Sequence, residues 1–359
     1  MKNYSIALLP GDGIGVDVVR EGKKVLDTVS ALHGGFTLNY EEYDWSCEYY
    51  AKHGKMMPDD GLERLRNFDS IYLGAVGYPG VPDHVSLWGL LLPIRRQFEQ
   101  YINLRPVKLL KGIQSPLAGK TPEDLDLIVI RENVEGEYSN IGGRMYEGTD
   151  MDMAIQNSVF TKKGVERVLR YAFDLSQAKG KKKHVTAATK SNGINHTMPF
   201  WDEYVHKINK EYPDVTSSIV HIDALAAFFV SKPETFDVVV ASNLFGDILT
   251  DLGAAIVGGL GIAPSANINP EKRYPSMFEP VHGSAPDIAG KGIANPIAAI
   301  WCTSMMLEQL GEQDSAEAIM TAIEDVLQEK EILTPDLGGK STTEEVGDYI
   351  CKKLKNSLN

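Results

Sequence analysis

Cysteine is scarce: Cys47, Cys302 and Cys351 are odd in number and far apart in 359 residues. No two stand at metal-ligand spacing, so neither a disulfide framework nor a thiolate metal site is expected, and the usage fits a reducing cytoplasm. Basic charge is short as well. The 36 Lys and Arg against 49 Asp and Glu leave a net charge of −13, which argues against general nucleic-acid binding. A locally basic cleft for small acidic molecules remains compatible with that balance. Long hydrophobic runs are missing, and Met1-Lys2-Asn3 leads into a strand without a signal-type segment, so a cytoplasmic protein with no membrane partner is expected. Repeats, low-complexity tracts and disordered linkers are lacking too. What is left is a chain long enough for two domains, or for one large core with a second lobe.

The residues present read as an alternation of buried strands and amphipathic helices. Residues 4–9 predict a strand, GDGIG at 11–15 a turn, and residues 16–31 a helix. The glycines fall at alternate positions, unlike a dinucleotide fingerprint, so they serve either a phosphate cradle on backbone amides or a tight strand-to-helix turn. Strands at 36–43 and 69–75 and a short helix at 59–67 continue a βαβ rhythm, which predicts an α/β fold with a largely parallel sheet. Residues 137–159 read as a projecting hairpin or arm suited to dimerisation. A helix at 162–178, a solvated lysine turn at 181–183, a strand at 184–188, a helix at 197–211 and a strand at 217–222 follow. Helices are also predicted from Asn295-Pro296 to about 310, at 315–330 and at 342–354, with Met305, Met306 and Leu307 in the core.

Several polar residues stand at predicted strand ends, where open α/β sheets place their ligands. Residues 236–241 are a buried strand, Asn243 and Leu244 turn the chain, and a helix then carries Asp247 and Asp251. Four residues apart, the two carboxylates leave one helix face. That spacing suits a solvated acidic face or an oxygen-ligated divalent cation, and apolar neighbours (Phe245, Ile248, Leu249, Leu252, Ala255) favour the cation. Lys190 follows one strand and Asp223 ends another. Arg95, Arg105 and Arg131 lie near helix or strand ends. Singly each arginine suits a surface ion pair; together, beside an acidic pair, they suit a substrate with two carboxylates. Tyr138, seven residues after Arg131, either returns to that pocket or simply packs. The loop at 282–292 suits an adenosine group, with Asp287 placed to accept from ribose hydroxyls and to repel a 2′-phosphate.

Taken together, GDGIG at 11–15, LRPV at 104–107, REN at 131–133, the Asp247/Asp251 helix and HGSAPDIAGKG at 282–292 resemble the β-decarboxylating dehydrogenases. That family comprises the isopropylmalate, isocitrate, homoisocitrate and tartrate/D-malate dehydrogenases, and the matches run nearly end to end. The resemblance implies a two-domain, non-Rossmann α/β fold. A large domain would take 1–105 plus 258–359, and a small one, with arm and dimer interface, 106–257. It implies that Arg95, Arg105 and Arg131 hold substrate carboxylates and that Asp223, Asp247 and Asp251 ligate Mg2+ or Mn2+. Lys190 matches the general base and Tyr138 the acid that protonates carbon. Lys190 and Asp223 would come from the partner subunit, giving a homodimer with shared sites. NAD would bind through Ile14, Asn192, Glu279, His282, Gly283, Ser284, Ala285, Asp287 and Asn295, and K+ is a further candidate ion. Isopropylmalate enzymes carry an acid seven residues before Arg95, where this chain has Trp88. Isocitrate enzymes place a serine six before it and an asparagine four before it, where Gly89 and Leu91 stand. The run around Trp88 resembles the tartrate and D-malate enzymes, with Trp88 expected to fill the space of a larger C3 substituent. Oxidative decarboxylation of D-malate to pyruvate and CO2, with tartrate accepted, is therefore expected. Leu91 and Leu92 keep 3-isopropylmalate as the alternative. A non-catalytic metal- and nucleotide-binding protein is the reading of a different class, disfavoured because Lys190, Tyr138 and the three acids are all present.

Overall fold

A computed structural model describes residues 1–180 and 182–357, so Lys181 of the expected lysine turn lies outside the described residues. The chain opens with β1 (Lys2–Gly11), α1 (Ile14–His33), β2 (Phe36–Glu42), α2 (Cys47–His53), α3 (Gly61–Leu65), β3 (Ser70–Ala75) and α4 (Asp83–Ser86). A π-helical turn (Leu87–Leu91) then joins α4 to α5 (Leu92–Gln97), and β4 (Ile102–Lys108) follows. The central segment holds β5 (Asp126–Glu132), the hairpin β6 (Gly136–Met145) and β7 (Met153–Val159), α6 (Lys162–Lys179), β8 (His184–Thr189) and α7 (Thr197–Asn209). It continues through β9 (Thr216–His221), α8 (Ile222–Ser231), β10 (Val238–Ala241) and α9 (Asn243–Ile256). The return supplies β11 (Pro264–Ile268), β12 (Ser276–Pro280), α10 (Ile297–Leu310), α11 (Gln313–Glu329) and α12 (Thr343–Ser357).

The chain divides into two compact units. The terminal unit takes Met1–Gln100, Leu104–Asp126 and the chain from Gly253 onward, and the central unit takes Tyr101–Asn103 and Leu127–Leu252. Residues 106–126 and 253–257, expected in the small domain, thus fall in the terminal unit, and residues 101–103, expected in the large one, fall in the central unit.

In the terminal unit the strand order is β2-β1-β3-β12-β11-β4. The pairs β1–β2, β1–β3 and β3–β12 are parallel, and β11 runs antiparallel to β12. The helix α10 is buried from Ile297 through Leu307, including Met305 and Met306 as expected, because its sequence is apolar on every face. A second cluster aims the site: Leu90, Ile94 and Phe98, spaced four apart, pack with Trp45, Cys47, Met56 and Leu73. That stripe leaves Leu91 and Arg95 on the neighbouring stripe of the same helix.

In the central unit β5, β10, β8 and β9 lie side by side and all parallel. Arg131 sits opposite Ala241 and Thr189 opposite His221, so these strand ends open on one edge. Two expectations are corrected here. Asp223 does not end a strand: β9 stops at His221 and Asp223 is the second residue of α8. The helix α8 went unread because Ile222–Ser231 is almost wholly apolar and no side chain caps its start. Asn243 and Leu244 form no separate turn, since α9 begins at Asn243. The helix α2 was also unread, although Ser46 caps it by accepting from the Tyr49 amide and Gly54 ends it in the left-handed conformation. Among the described residues no helix is long and apolar enough to cross a membrane.

Candidate functional site

At the C-terminal ends of β1 and β3 the GDGIG turn is a docking joint. Gly11 and Gly13 take φ of +75° and +57°, and a Cβ on Gly13 would lie 2.1 Å from the Ser284 carbonyl oxygen. The Ile14 amide donates to that same oxygen at 2.9 Å. The glycines thus form a tight turn, and Ile14 props the 282–292 loop through its backbone. Asp12, within the same turn, holds the joint. Buried, it accepts from the amides of Cys47 and Gly77 at 3.0 Å and of Glu48 at 3.2 Å. It thereby satisfies two N-terminal amides of α2.

Beyond this joint a cleft of about 170 Å³ is lined by Leu91, Arg95, Arg105, Glu279, His282 and Gly283 among others. Residues expected to hold substrate and residues expected to hold a dinucleotide thus share one wall. Arg95 Nη2 donates to Glu279 Oε1 at 2.6 Å, and Asn267 Nδ2 donates to the same oxygen at 2.7 Å. Both partners of the ion pair are at most one-tenth exposed, so the pair is a rigid fixture of the cleft rather than a solvated contact. Burial lowers the pKa of His282 and keeps its ring neutral, with Nδ1 3.0 Å from the Gly283 carbonyl. Asn295 spends both polar atoms, accepting from the Ile297 amide at 3.0 Å and donating to Asp336 at 2.9 Å. Ser284 is buried, Ala285 adopts φ +41°, and Asp287 stands exposed on the loop. Trp88 is not among the residues lining this cleft. The Arg96 guanidinium lies over its ring at 4.8 Å, and the π-helical turn that carries Trp88 rotates it relative to a continuous α-helix. Gly89 in that turn is required by packing, since a Cβ there would meet Met56 Cγ at 2.6 Å.

In the central unit three of the expected residues converge on α9. Arg131 donates to one carboxylate oxygen of Asp247 and, through Nε and Nη2, to Asn243 Oδ1 at 3.1 and 2.7 Å. The Tyr138 hydroxyl donates to the other Asp247 oxygen at 3.1 Å. The Arg131 guanidinium also lies 5.7 Å from the Tyr138 ring centre. Burial and the adjacent Asp247 charge raise the Tyr138 pKa, so the phenol stays protonated. Two residues that carried no clear sequence signal arrange this. Glu137 accepts from Ser242 Oγ at 2.8 Å and from the Leu244 amide at 3.1 Å, tying the base of the hairpin to the start of α9. Gly246 lets α9 lie on β5, because a Cβ there would come within 2.6 Å of the Arg131 side chain. Asn243 was legible as a polar residue between strand and helix.

The acid pair is less apolar in its surroundings than expected. Phe245 and Leu249 are buried, but Ile248 is 53% exposed and Asp251 and Ala255 face solvent. Lys190 and Asp223 meet each other at 2.7 Å, and that contact with Lys190 holds the Asp223 pKa low. Asn192 is exposed nearby in the chain. Among the described residues of the single chain, no three Asp, Glu, His or Cys side chains are arranged so that they could hold a metal ion. The donor chemistry still fits a hard cation. Asp247 is 35% exposed and Asp251 lies four residues on along α9, so both offer accessible carboxylate oxygens. Beside Arg131, the fully buried Glu132 has its pKa raised to about 7, first by burial and then by Glu135. It accepts from the amides of Val134 at 3.1 Å and Glu135 at 3.0 Å.

Comparison with known proteins agrees with these features. Residues 5–350 match the isocitrate/isopropylmalate dehydrogenase family model. The chain is 57% identical over 356 residues to a probable tartrate dehydrogenase/decarboxylase of Bacillus subtilis, covering 99% of each. It is 57% identical over 359 residues to the decarboxylating D-malate dehydrogenase of Escherichia coli, covering 98% of this chain and 99% of the other. The crystal structure of isocitrate dehydrogenase from Methylococcus capsulatus superposes with a TM-score of 0.88 at 35% identity, covering 98% of this chain and 99% of that one.

Proposed function

The chain belongs to the isocitrate/isopropylmalate dehydrogenase family, and from that premise we propose that it oxidatively decarboxylates D-malate to pyruvate and CO2, accepting tartrate as well, with NAD and Mg2+ or Mn2+. The observation that best supports this reading is the carboxylate of Asp247, engaged at one oxygen by Arg131 and at the other by Tyr138. An anion-binding group, a hard-cation ligand and a protonated phenol thus stand on one acid. Arg95 and Arg105, lining one cleft, offer guanidinium groups for substrate carboxylates. Arg131 takes a further carboxylate oxygen. Asp247 and Asp251, with Asp223 of the partner subunit, would hold the cation, and the 282–295 loop, Ile14, Glu279 and Asn192 would hold NAD. A bound divalent cation would supply Lewis-acid polarisation of the hydroxyl, and NAD would supply the hydride acceptor. Lys190 of the partner subunit removes the hydroxyl proton and has to leave Asp223 to do so. Loss of CO2 from the β-keto carboxylate leaves an enolate, and Tyr138, held protonated, gives its proton to the carbon that lost CO2.

A homodimer supports this arrangement because the central unit alone gathers no three-acid cluster among the described residues. The β6–β7 hairpin also exposes Ile141, Met145, Tyr146, Met153 and Ile155, an apolar set that a second copy would cover. The metabolic type fits a cytoplasmic protein. The test is initial rates with D-malate, tartrate and 3-isopropylmalate plus NAD and Mn2+. D-malate is expected to give the highest kcat/KM, and a clear preference for 3-isopropylmalate overturns the substrate assignment.

A further inference from the structure

The strands β1, β3 and β12 carry the cleft at their C-terminal ends, yet their N-terminal ends enclose another pocket of about 280 Å³ that shares none of the residues assigned above. Its lining includes Arg66, Lys272 and Arg273, with Asn67, Tyr274 and Asp69. In a chain of net charge −13, three cations against one carboxylate in a single pocket run opposite to the background. The one carboxylate is already engaged, since Asp69 Oδ2 accepts from the Ser5 amide at 2.7 Å and from the Ser5 hydroxyl at 2.9 Å. Among the described residues neither Arg66 nor Lys272 has a carboxylate partner. Arg66 lies over the Tyr274 ring at 5.1 Å, a ring backed on Phe98 at 5.9 Å, and Lys272 Nζ donates to the Gln309 carbonyl at 2.7 Å. Arg273 meets Glu99 at 2.5 Å in an exposed pair, of the kind an incoming anion exchanges readily. Lys272 and Glu99 both hold left-handed backbone conformations, φ +54° and +44°, which non-glycine residues adopt at an energetic cost and which collect at binding sites.

We propose that this pocket binds a compact phosphate-bearing anion at the N-terminal ends of the strands, opposite the end that carries the cleft. Two guanidinium forks and one ammonium suit phosphate oxygens, and the exposed Asn67 amide adds a neutral donor.

The test is calorimetric titration of the full-length protein with pyrophosphate, and separately with citrate, at moderate ionic strength. Wild type is expected to bind pyrophosphate, the R66A/R273A double variant to bind it at least tenfold more weakly with D-malate turnover unchanged, and Arg105→Met to bind it as wild type does. Should the double variant fold poorly, Lys272→Gln alone is expected to weaken binding severalfold at an unaltered melting temperature. The proposal is overturned if wild type does not bind, if the Arg66/Arg273 or Lys272 variants bind unchanged, or if Arg105→Met abolishes binding, which would place the anion in the cleft. Equally tight citrate binding through the same arginines would overturn the phosphate class.

Discussion

Among the candidate-site groups, the terminal unit buries both partners of the Arg95–Glu279 pair, whereas the central unit leaves at least one partner of each pair within reach of water. Arg95 and Glu279 are 8% and 10% exposed, while Lys190 and Asp223 are 31% and 68% exposed and Asp247 is 35% exposed. The difference follows the work proposed for each. A group that only has to stand at a fixed point gains from burial, where a second donor such as Asn267 completes its partner's hydrogen bonds. A group that has to change partners or move a proton cannot be locked in low dielectric, because separating a buried pair costs several kcal/mol. The Arg95–Glu279 pair is therefore a fixed part of the cleft wall, and the proposed reactive groups stay open to exchange.

The sharpest way to break that comparison is Lys190→Met. With NAD and Mn2+, kcat for D-malate is expected to fall by about 10²–10⁴-fold, the usual worth of a general base. The melting temperature should barely change, because the Lys190–Asp223 pair is exposed. Activity surviving at wild-type level would remove Lys190 from the chemistry. The converse is Arg95→Met, which strands Glu279 in the protein. Unfolding by urea should show a loss of about 3–5 kcal/mol, and Asp223→Asn in the same assay should show little. Equal losses from the two would end the distinction between rigid and exchangeable pairs.

The smallest expected effect concerns Glu132, whose pKa is raised to about 7 in the folded state. An acid with a raised pKa favours the native state when protonated. Its contribution is thus fully present below the unfolded glutamate value, near pH 4.3, and is lost as pH rises through about 7. Melting curves between those values and pH 8.5 should show stability decreasing with pH from this group, and Glu132→Gln should flatten that component. An identical pH dependence in the variant would show that Glu132 does not titrate there.

Much of this was written in local pattern. The βαβ alternation, the hairpin at 137–159 and the core methionines follow from periodicity and turn chemistry within a few neighbours. The acid spacing of Asp247 and Asp251 is equally local, as is the placing of Arg131 and Lys190 near strand ends. The helix α8 escaped because an apolar run without caps looks alike in strand and helix, and α2 escaped because its cap lay in a short segment between stronger signals.

The sequence by itself determined the family, the parallel α/β architecture and the identity of the candidate reactive groups, since residue type, spacing and period are properties of neighbours along the chain. Tertiary structure alone decided what those groups touch. It seated the glycine turn on Ser284, tied Asp12 to α2, joined Arg95 to Glu279 and set the Arg96 guanidinium over Trp88. Those pairings depend on segments up to about 270 residues apart, and no local preference records which distant partner a buried charge or a glycine without a side chain will meet.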